Sequence, residues 1–342
     1  MNRAPLRSLF TRLIASLFLI VTLMCNSRSF AAGETVPSGQ GGFQSDTKVL
    51  KWPGGKQAVF LLEFDDSAPT AIKNVIPELT KRGMVGTFYI NPGNPPYKSL
   101  KKEWEKPAPG IEYANHPFTH VGATSAEQLD GELAKCNAEI TERYPGRKTP
   151  RLISFGQPGG VPWTITQDEK KVLLEKYHLV ERPPFKGYPF HFKTGEEILA
   201  LVDAALRKQD MDYIVFHGVG GDWLSTPMEL FTALLDKLDA TRDQLWITDP
   251  VSWHQYVTER KSTEVKQVPA DKGRISLQLT STLDPAFYDL PLTLETSVPP
   301  DWKTCRIRQG KTDITVPVKE GKVQYSALPG TEPVSIEPVS RG

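Results

Sequence analysis

Two short motifs supply the residue types that metal-assisted hydrolysis requires. Phe64-Asp65-Asp66 closes the apolar run Ala58-Val59-Phe60-Leu61-Leu62, and Asn115-His116-Pro117-Phe118-Thr119-His120 follows about fifty residues later. Histidines four positions apart fall on one face of a helical turn. Pro117 suits the first position of such a turn, where its missing N–H needs no partner. One carboxylate and two imidazoles make a three-ligand metal site with open positions. The neighbouring aspartate is then left free to act as a base. Each motif has a plainer reading on its own: an Asp-Asp pair commonly caps a turn or helix, and a His-x-x-x-His pair is commonly structural. Together, in this order and after these strand-like runs, they point to a metal-dependent hydrolase.

A third candidate is His217, at the end of the apolar run Tyr213–Phe216. A core histidine is the plain reading, but Gly218, Gly220 and Gly221 follow at once and favour a pocket-lining loop. That glycine run lacks the Lys-Ser/Thr pair of a phosphate cradle. Asp222 and Trp223 either line a substrate groove or cap the next helix and fill a gap beneath it. His178, His191 and His254 have no partners at ligand spacing and read as structural or surface residues. Ser67, Thr70 and Ser225 show no nucleophile-elbow pattern, which argues against a serine hydrolase. Trp246 and Trp253 read as core and helix-packing residues.

Strand-like runs and helical patterns alternate from about Lys51 to Arg260. The strands are predicted at 57–64, 85–91, 111–115, 151–155, 177–180, 213–217 and 244–248. Helices are predicted at 71–82, 125–144, 167–175, 196–208 and 227–240. This repetition predicts an α/β fold with a parallel sheet closed into a barrel. Chemistry in such barrels sits at the carboxyl ends of the strands, where Asp65, Asp66, His116 and His217 fall. After about Ser262 short alternating runs take over, broken by Pro, Gly and Asp: 274–279, 292–296, 305–308, 314–318 and 322–325. They predict a small β-sandwich-like accessory domain at 263–342. Without a cluster of exposed aromatics, packing against the barrel is favoured over binding carbohydrate as its role.

The chain has 342 residues, 39% hydrophobic content, 29 prolines and a net charge of +1. That is enough for one large domain and a small one, with no basic block suited to nucleic acid. Arg3, Arg7 and Arg12 precede an apolar stretch from Leu13 to Met24, and Ser29-Phe30-Ala31 offers a small-x-small cleavage site. Residues 1–31 are therefore expected to be a secretory signal peptide, followed by a linker at 32–50 and the main domain at 51–262. The apolar stretch is too short to span a bilayer, so no stable membrane insertion is expected after cleavage. Met24 before Cys25 argues against lipidation. An exported protein, periplasmic or extracellular, is the expectation. Cys136 and Cys305 would lie in different domains as free thiols.

The chain resembles the polysaccharide deacetylases of the NodB-homology group, carbohydrate esterase family 4, over roughly residues 51–260. Phe64-Asp65-Asp66 is similar to the family's Thr-Phe-Asp-Asp motif. Residues 110–120 are similar to its Gly-His-Glu-x-x-Asn-His-x-x-x-His segment, Thr87-Phe88-Tyr89-Ile90 to the strand between them, and Val215-Phe216-His217 to its Leu-x-His motif. The resemblance implies a distorted (β/α) barrel. It also implies Asp66, His116 and His120 as ligands of one divalent ion, preferably Zn2+, with Asp65 as general base and His217 as general acid. The substrate implied is an N- or O-acetylated polysaccharide.

Two departures stand out. The family's Arg-x-Pro-x-Gly motif reads Gly156-Gln157-Pro158-Gly159-Gly160, so the arginine that should orient the catalytic aspartate is replaced by Gly156. Arg151 or Arg182 could supply a guanidinium from elsewhere, and the Gly159 N–H could still serve the oxyanion. The family's pocket tryptophan has no counterpart between His178 and Phe192, where Tyr188 and Phe190 stand. Competing readings are an amidohydrolase acting on a small non-glycan amide, a catalytically weak carbohydrate-binding protein, and a non-haem iron oxygenase. The oxygenase's usual His-x-Asp spacing is absent. The sequence leaves the glycan and the oligomeric state open.

Overall fold

Every residue of Ala58–Phe64 is buried, the pattern of a parallel strand covered on both faces. Alternate side chains of a strand point to opposite faces, and here the two faces feed different cores. Phe60, Leu62 and Phe64 join the core under the helices. Val59 and Leu61 join a second core with the C-terminal strands. Glu63 follows in the inward series, and it is fully buried too.

The structure is a computed structural model and describes residues 43–106, 109–143, 148–271 and 273–339. The signal-peptide reading of residues 1–31, the linker reading of 32–42 and Tyr144 lie outside the described residues. The rest of the predicted linker is in part a strand, β1 (Thr47–Val49). The chain continues through β2 (Ala58–Phe64), α1 (Ile76–Arg82), β3 (Gly86–Ile90), α2 (Pro95–Ser99), α3 (Lys101–Trp104) and β4 (Ile111–Asn115). It then forms α4 (Ala126–Arg143), β5 (Ile153–Phe155), α5 (Gln167–Lys176), β6 (Leu179–Glu181), α6 (Gly195–Lys208) and β7 (Met211–Phe216). α7 (Met228–Ala240), β8 (Leu245–Thr248) and α8 (Pro250–Ser262) complete the series. Thr166 and Thr194 start α5 and α6 with reciprocal capping boxes to Glu169 and Glu197, which satisfies otherwise orphaned N–H groups.

The parallel strands run in the order β6-β5-β4-β3-β2-β7, with β8 also on β2. β7 pairs along β2 from Val59 to Phe64, whereas β3 meets only Glu63 and Phe64 and β8 takes Ala58–Leu61. Among the described residues no strand pairing joins β6 to β7. The connection after β6 bridges that gap: Val215 N donates to Lys186 O (2.9 Å), and Lys186 pairs with Asp212. Pro183 and Pro184 cannot donate to a ladder there. The fold is thus a distorted α/β barrel whose wall is open on one side. The predicted strand at 177–180 begins later, because Tyr177 N still donates to Leu173 O at the end of α5. α8, which the sequence pattern does not predict, is capped by Asp249 accepting from Ser252 N (2.9 Å).

The C-terminal residues form β9 (Glu264–Val268), β10 (Ile275–Thr280), β11 (Leu292–Ser297), β12 (Thr304–Gln309), β13 (Thr312–Pro317), β14 (Lys322–Ala327) and β15 (Val334–Pro338). They make a five-stranded sheet, β13-β12-β15-β10-β9, and a three-stranded one, β1-β11-β14. Their core includes Val59 and Leu61 of β2 and Tyr256 of α8. Tyr256 OH donates to Leu50 O (3.0 Å) and accepts from Thr293 N (3.3 Å). One core therefore runs across residue 262, and the inner face of β2 is sealed by the β-module. Cys136 and Cys305 are buried free thiols, one in each part. No described helix is long and apolar enough to cross a membrane.

Candidate active site

The chain turns sharply at the end of β2. Asp66 (φ 64°) and Ser67 (φ 53°) both adopt left-handed backbone, which costs non-glycine residues free energy and persists only when neighbours enforce it. Asp65 N donates to Phe216 O (2.8 Å) and Ser67 Oγ accepts from Asn91 N (3.0 Å), so β7 and the end of β3 supply that enforcement.

His116 follows β4 directly, but residues 116–120 are not helical. The helical turn predicted from the His-x-x-x-His spacing is replaced by an irregular loop in which His120 takes left-handed backbone (φ 59°). The physical reason lies in β3's connection. Asn91 Nδ2 donates to the carbonyls of His116 and Pro117, and Gly93 N donates to Phe118 O (2.7 Å). A Cβ at Gly93 would lie 2.7 Å from Phe118 O, so only glycine allows this approach. On the other side, Glu132 of α4 accepts from Thr119 N (2.6 Å) and Thr119 Oγ1 (2.9 Å). Carbonyls and amides that would start a helix are thus committed elsewhere.

Asp66, His116 and His120 each bring one ligand atom within 4.8 Å of the others. Asp66 Oδ1 lies 3.3 Å from His116 Nε2 and 3.2 Å from His120 Nε2. His116 Nδ1 is 2.7 Å from Gly156 O. A carbonyl only accepts, so this contact assigns the proton to Nδ1 and leaves the Nε2 lone pair facing a carboxylate. Two acceptors that close call for a cation between them. Asp66 Oδ1 is buried and has no hydrogen-bond partner among the described residues, and the donor set suits a divalent ion such as zinc. Burial pushes Asp66 up, but the imidazoles of His116 and His120 beside it hold it well below the usual carboxylate range. Burial pushes His120 down, while Asp66 lifts it above its ordinary value.

Asp65 points inward and meets Arg182, the residue after β6. Arg182 Nη1 and Nη2 donate to Asp65 Oδ1 (2.7 Å) and Oδ2 (2.6 Å), and Nη1 also reaches Glu63 Oε2 (3.1 Å). Burial favours a neutral Asp65, but the charge of Arg182 holds its carboxyl below the usual value. The two-pronged contact fixes the carboxylate rotamer as well as its charge. Arg151, the other residue considered for this task, lines a separate cavity with Lys148, Asp249 and Asp289.

His217 Nε2 lies 3.6 Å from Asp66 Oδ2, and the Phe185 ring meets the imidazole edge-on at 5.2 Å. The loop beyond it folds back through Gly218 N to Trp223 O (3.0 Å) and Thr226 N to Gly218 O (2.9 Å). Trp223 Nε1 donates to Asp66 Oδ2 (2.9 Å), and the residue is 37% exposed. Asp222 Oδ2 instead accepts from Thr70 N (2.7 Å), capping the turn after β2 rather than the next helix. Gly159 lies on the flank, in a cavity of about 280 Å³ with Gln157, Arg182 and Phe185. His178 packs on Phe287 (4.3 Å), His191 Nδ1 accepts from Gly187 N (3.3 Å), and His254 meets Tyr288 OH (3.3 Å). Asn91, Glu132 and Glu63 escaped the sequence reading. Of these only Asn91 carried a local signal, the turn triplet Asn91-Pro92-Gly93.

Residues 53–172 match the family model described as polysaccharide deacetylase. The chain carries a polysaccharide deacetylase domain. The matched stretch holds Asp65, Asp66, His116, His120 and Gly159, and it ends before Arg182 and His217. Among curated proteins, the chain is similar to a gellan lyase from a Bacillus species, 28% identical over 117 residues. That alignment covers 33% of this chain and 5% of the relative, so the chain spans a small part of that protein. A family 4 carbohydrate esterase from Streptomyces lividans, solved with acetate, is 20% identical with a TM-score of 0.41, covering 58% of this chain and 95% of that one. A peptidoglycan deacetylase from Bacillus subtilis is 15% identical with a TM-score of 0.41, covering 58% and 91%. A family 4 pseudoenzyme from Bacillus anthracis is 14% identical with a TM-score of 0.40, covering 55% and 60%.

Proposed function

We propose that this protein is an exported, metal-dependent hydrolase that removes acetyl groups from an N- or O-acetylated polysaccharide. The observation that carries the reading is the placement of Asp65 between two different environments. Its carboxylate is clamped by Arg182, while His116 of the Asp66-His116-His120 cluster lies 4.0 Å away. Asp66, His116 and His120 would hold the divalent ion, zinc being preferred, which supplies Lewis acidity to activate water and polarise the acetyl carbonyl.

The chain's own groups divide the proton work. Asp65, ionised, accepts the proton of the attacking water as its oxygen adds to the acetyl carbon. His217 gives a proton to the departing amine or alkoxide as the C–N or C–O bond breaks, a role suited to an imidazole near neutral pH. Gly159 lies on the flank where its N–H can serve the oxyanion. A polymeric substrate is supported by the open rim: Trp223 and the 63% exposed Phe190 leave aromatic faces in solvent beside polar groups, the kind of exposed apolar surface that marks ligand grooves. A catalytically weak carbohydrate-binding protein was the alternative suggested by Gly156 and the β-module; the Arg182 clamp on Asp65 speaks against the first of these motives. Export rests on Arg3, Arg7, Arg12 and the apolar stretch that follows them.

The test is acetate release from chitin oligomers, peptidoglycan and acetylated xylan, with metal content measured on the same samples. Release that requires about one bound divalent ion per chain supports the proposal. No release from any of the three by metal-loaded protein overturns it.

A further inference from the structure

Glu63 has no apolar reason to be where it is. It occupies the inward series of β2 after Val59 and Leu61, fully buried, and a buried carboxylate is costly without a charged or hydrogen-bonded partner. Its one hydrogen-bond partner among the described residues is Arg182, and Glu63 Oε1 has none. The Arg182 guanidinium is itself enclosed. It lies 4.0 Å over the Tyr89 ring, forks onto Asp65, and touches Glu63 through Nη1. Gly156 forms the remaining wall. A Cβ there would lie 2.9 Å from Arg182 Nε, 3.1 Å from Cζ and 2.8 Å from Tyr89 Cδ1. Gly156 is not among the positive-φ glycines, so occupied space rather than backbone conformation demands a glycine.

We propose that Glu63, Gly156 and Arg182 are one compensated positioning set for Asp65. Arg182 enters from the end of β6 and orients Asp65. Gly156 surrenders the volume that the guanidinium fills, and Glu63 anchors the guanidinium from below. The inference rests on the reading of Asp65 as the base, but its steric half does not. The set also explains why β2 carries glutamate where the resembled motif has threonine. A second buried arginine contact is useful only if the guanidinium arrives from this side.

The test combines kinetics on defined acetylated chitin oligomers with metal analysis and thermal unfolding, on the full metal-loaded chain. Arg182→Lys keeps a charge but not the fork. It should lower kcat about tenfold or more, with KM and metal content within about twofold, as expected for misplacing a catalytic group. Glu63→Gln keeps an acceptor and should retain kcat within about threefold, whereas Glu63→Leu should lose about tenfold. Gly156→Arg alone should be nearly inactive, and Gly156→Arg with Arg182→Ala should recover at least tenfold over it. A double variant no better than Gly156→Arg, or equal losses in Glu63→Gln and Glu63→Leu, overturns the inference. If the wild type releases no acetate, the functional reading fails on its own, and unfolding still decides the shared volume. Gly156→Ala should lower the Tm of the wild type more than that of Arg182→Ala, and an equal drop in both refutes the set.

Discussion

His116 and Asp66 face each other through two acceptor atoms, Nε2 and Oδ1, 3.3 Å apart, while His116 Nδ1 is held by Gly156 O at 2.7 Å. The backbone of the β5 end thus selects the tautomer that turns a lone pair toward the carboxylate. Partners of this kind commonly tune metal sites as strongly as the ligands do.

The metal prediction follows from that geometry. His116→Ala or His120→Ala should remove most of the bound metal while leaving the far-ultraviolet spectrum unchanged. Asn91→Ala should weaken metal binding by about 10–100-fold, because Asn91 holds the carbonyls of His116 and Pro117. Competition with a chelator of known affinity measures each. Full metal occupancy in His116→Ala would refute the ligand assignment.

Binding and chemistry should separate at Asp65. Asp65→Asn should keep the metal and lose about 10²–10⁴ in rate. His217→Ala should behave alike on amides and lose much less on aryl acetates, whose leaving groups need no proton. Equal losses on both substrate types would remove His217 from the role of acid.

Trp223 does two things that substitution can split. Trp223→Phe keeps an aromatic face but removes the Nε1 donor to Asp66 Oδ2. Metal affinity should fall severalfold with KM for oligomers little changed. Trp223→Ala should raise that KM about tenfold as well. If both variants raise KM equally, the ring face does not contact substrate.

Stability should depend on pH through Glu63. Burial pushes its carboxyl from 4.5 up to about 7, with Arg182 pulling it back and Asp65 adding to the rise. A raised folded-state pKa gives stability that is present below about pH 4.5 and is lost as pH rises toward 7, since the native state then holds a proton the unfolded chain releases. The shift is worth at most about 3 kcal/mol. Glu63→Gln removes this dependence, so its Tm relative to wild type should rise between pH 4.5 and 7 and level off above. A constant difference across that range would show that Glu63 titrates normally.

Several features were legible locally. The buried run at 58–64, the order of the two motifs, the alternation of strands and helices, and the free cysteines all follow from period and composition, which act within a few residues. Short antiparallel β9 and β15 were not legible. The alternation of β9 is broken at Lys266-Gln267, and β15 alternates over only four residues and takes its partners, β10 and β12, from earlier in the chain.

The amino-acid sequence by itself determined which residues could do chemistry: Asp65, Asp66, His116, His120 and His217 are named by type and spacing. It left open which arginine serves Asp65, and it suggested a helical turn at 116–120 that does not form. Those matters were decided by tertiary structure. Arg182 reaches Asp65 across 117 residues of chain; Asn91 and Glu132 claim the backbone groups a helix would have used; Trp223 swings onto Asp66 from a glycine-rich loop. Local hydrogen bonding and side-chain period are written in neighbouring residues. Which guanidinium fills a cavity depends on what volume distant residues leave empty, and at Gly156 that volume is visible only once the strands and loops are assembled around it.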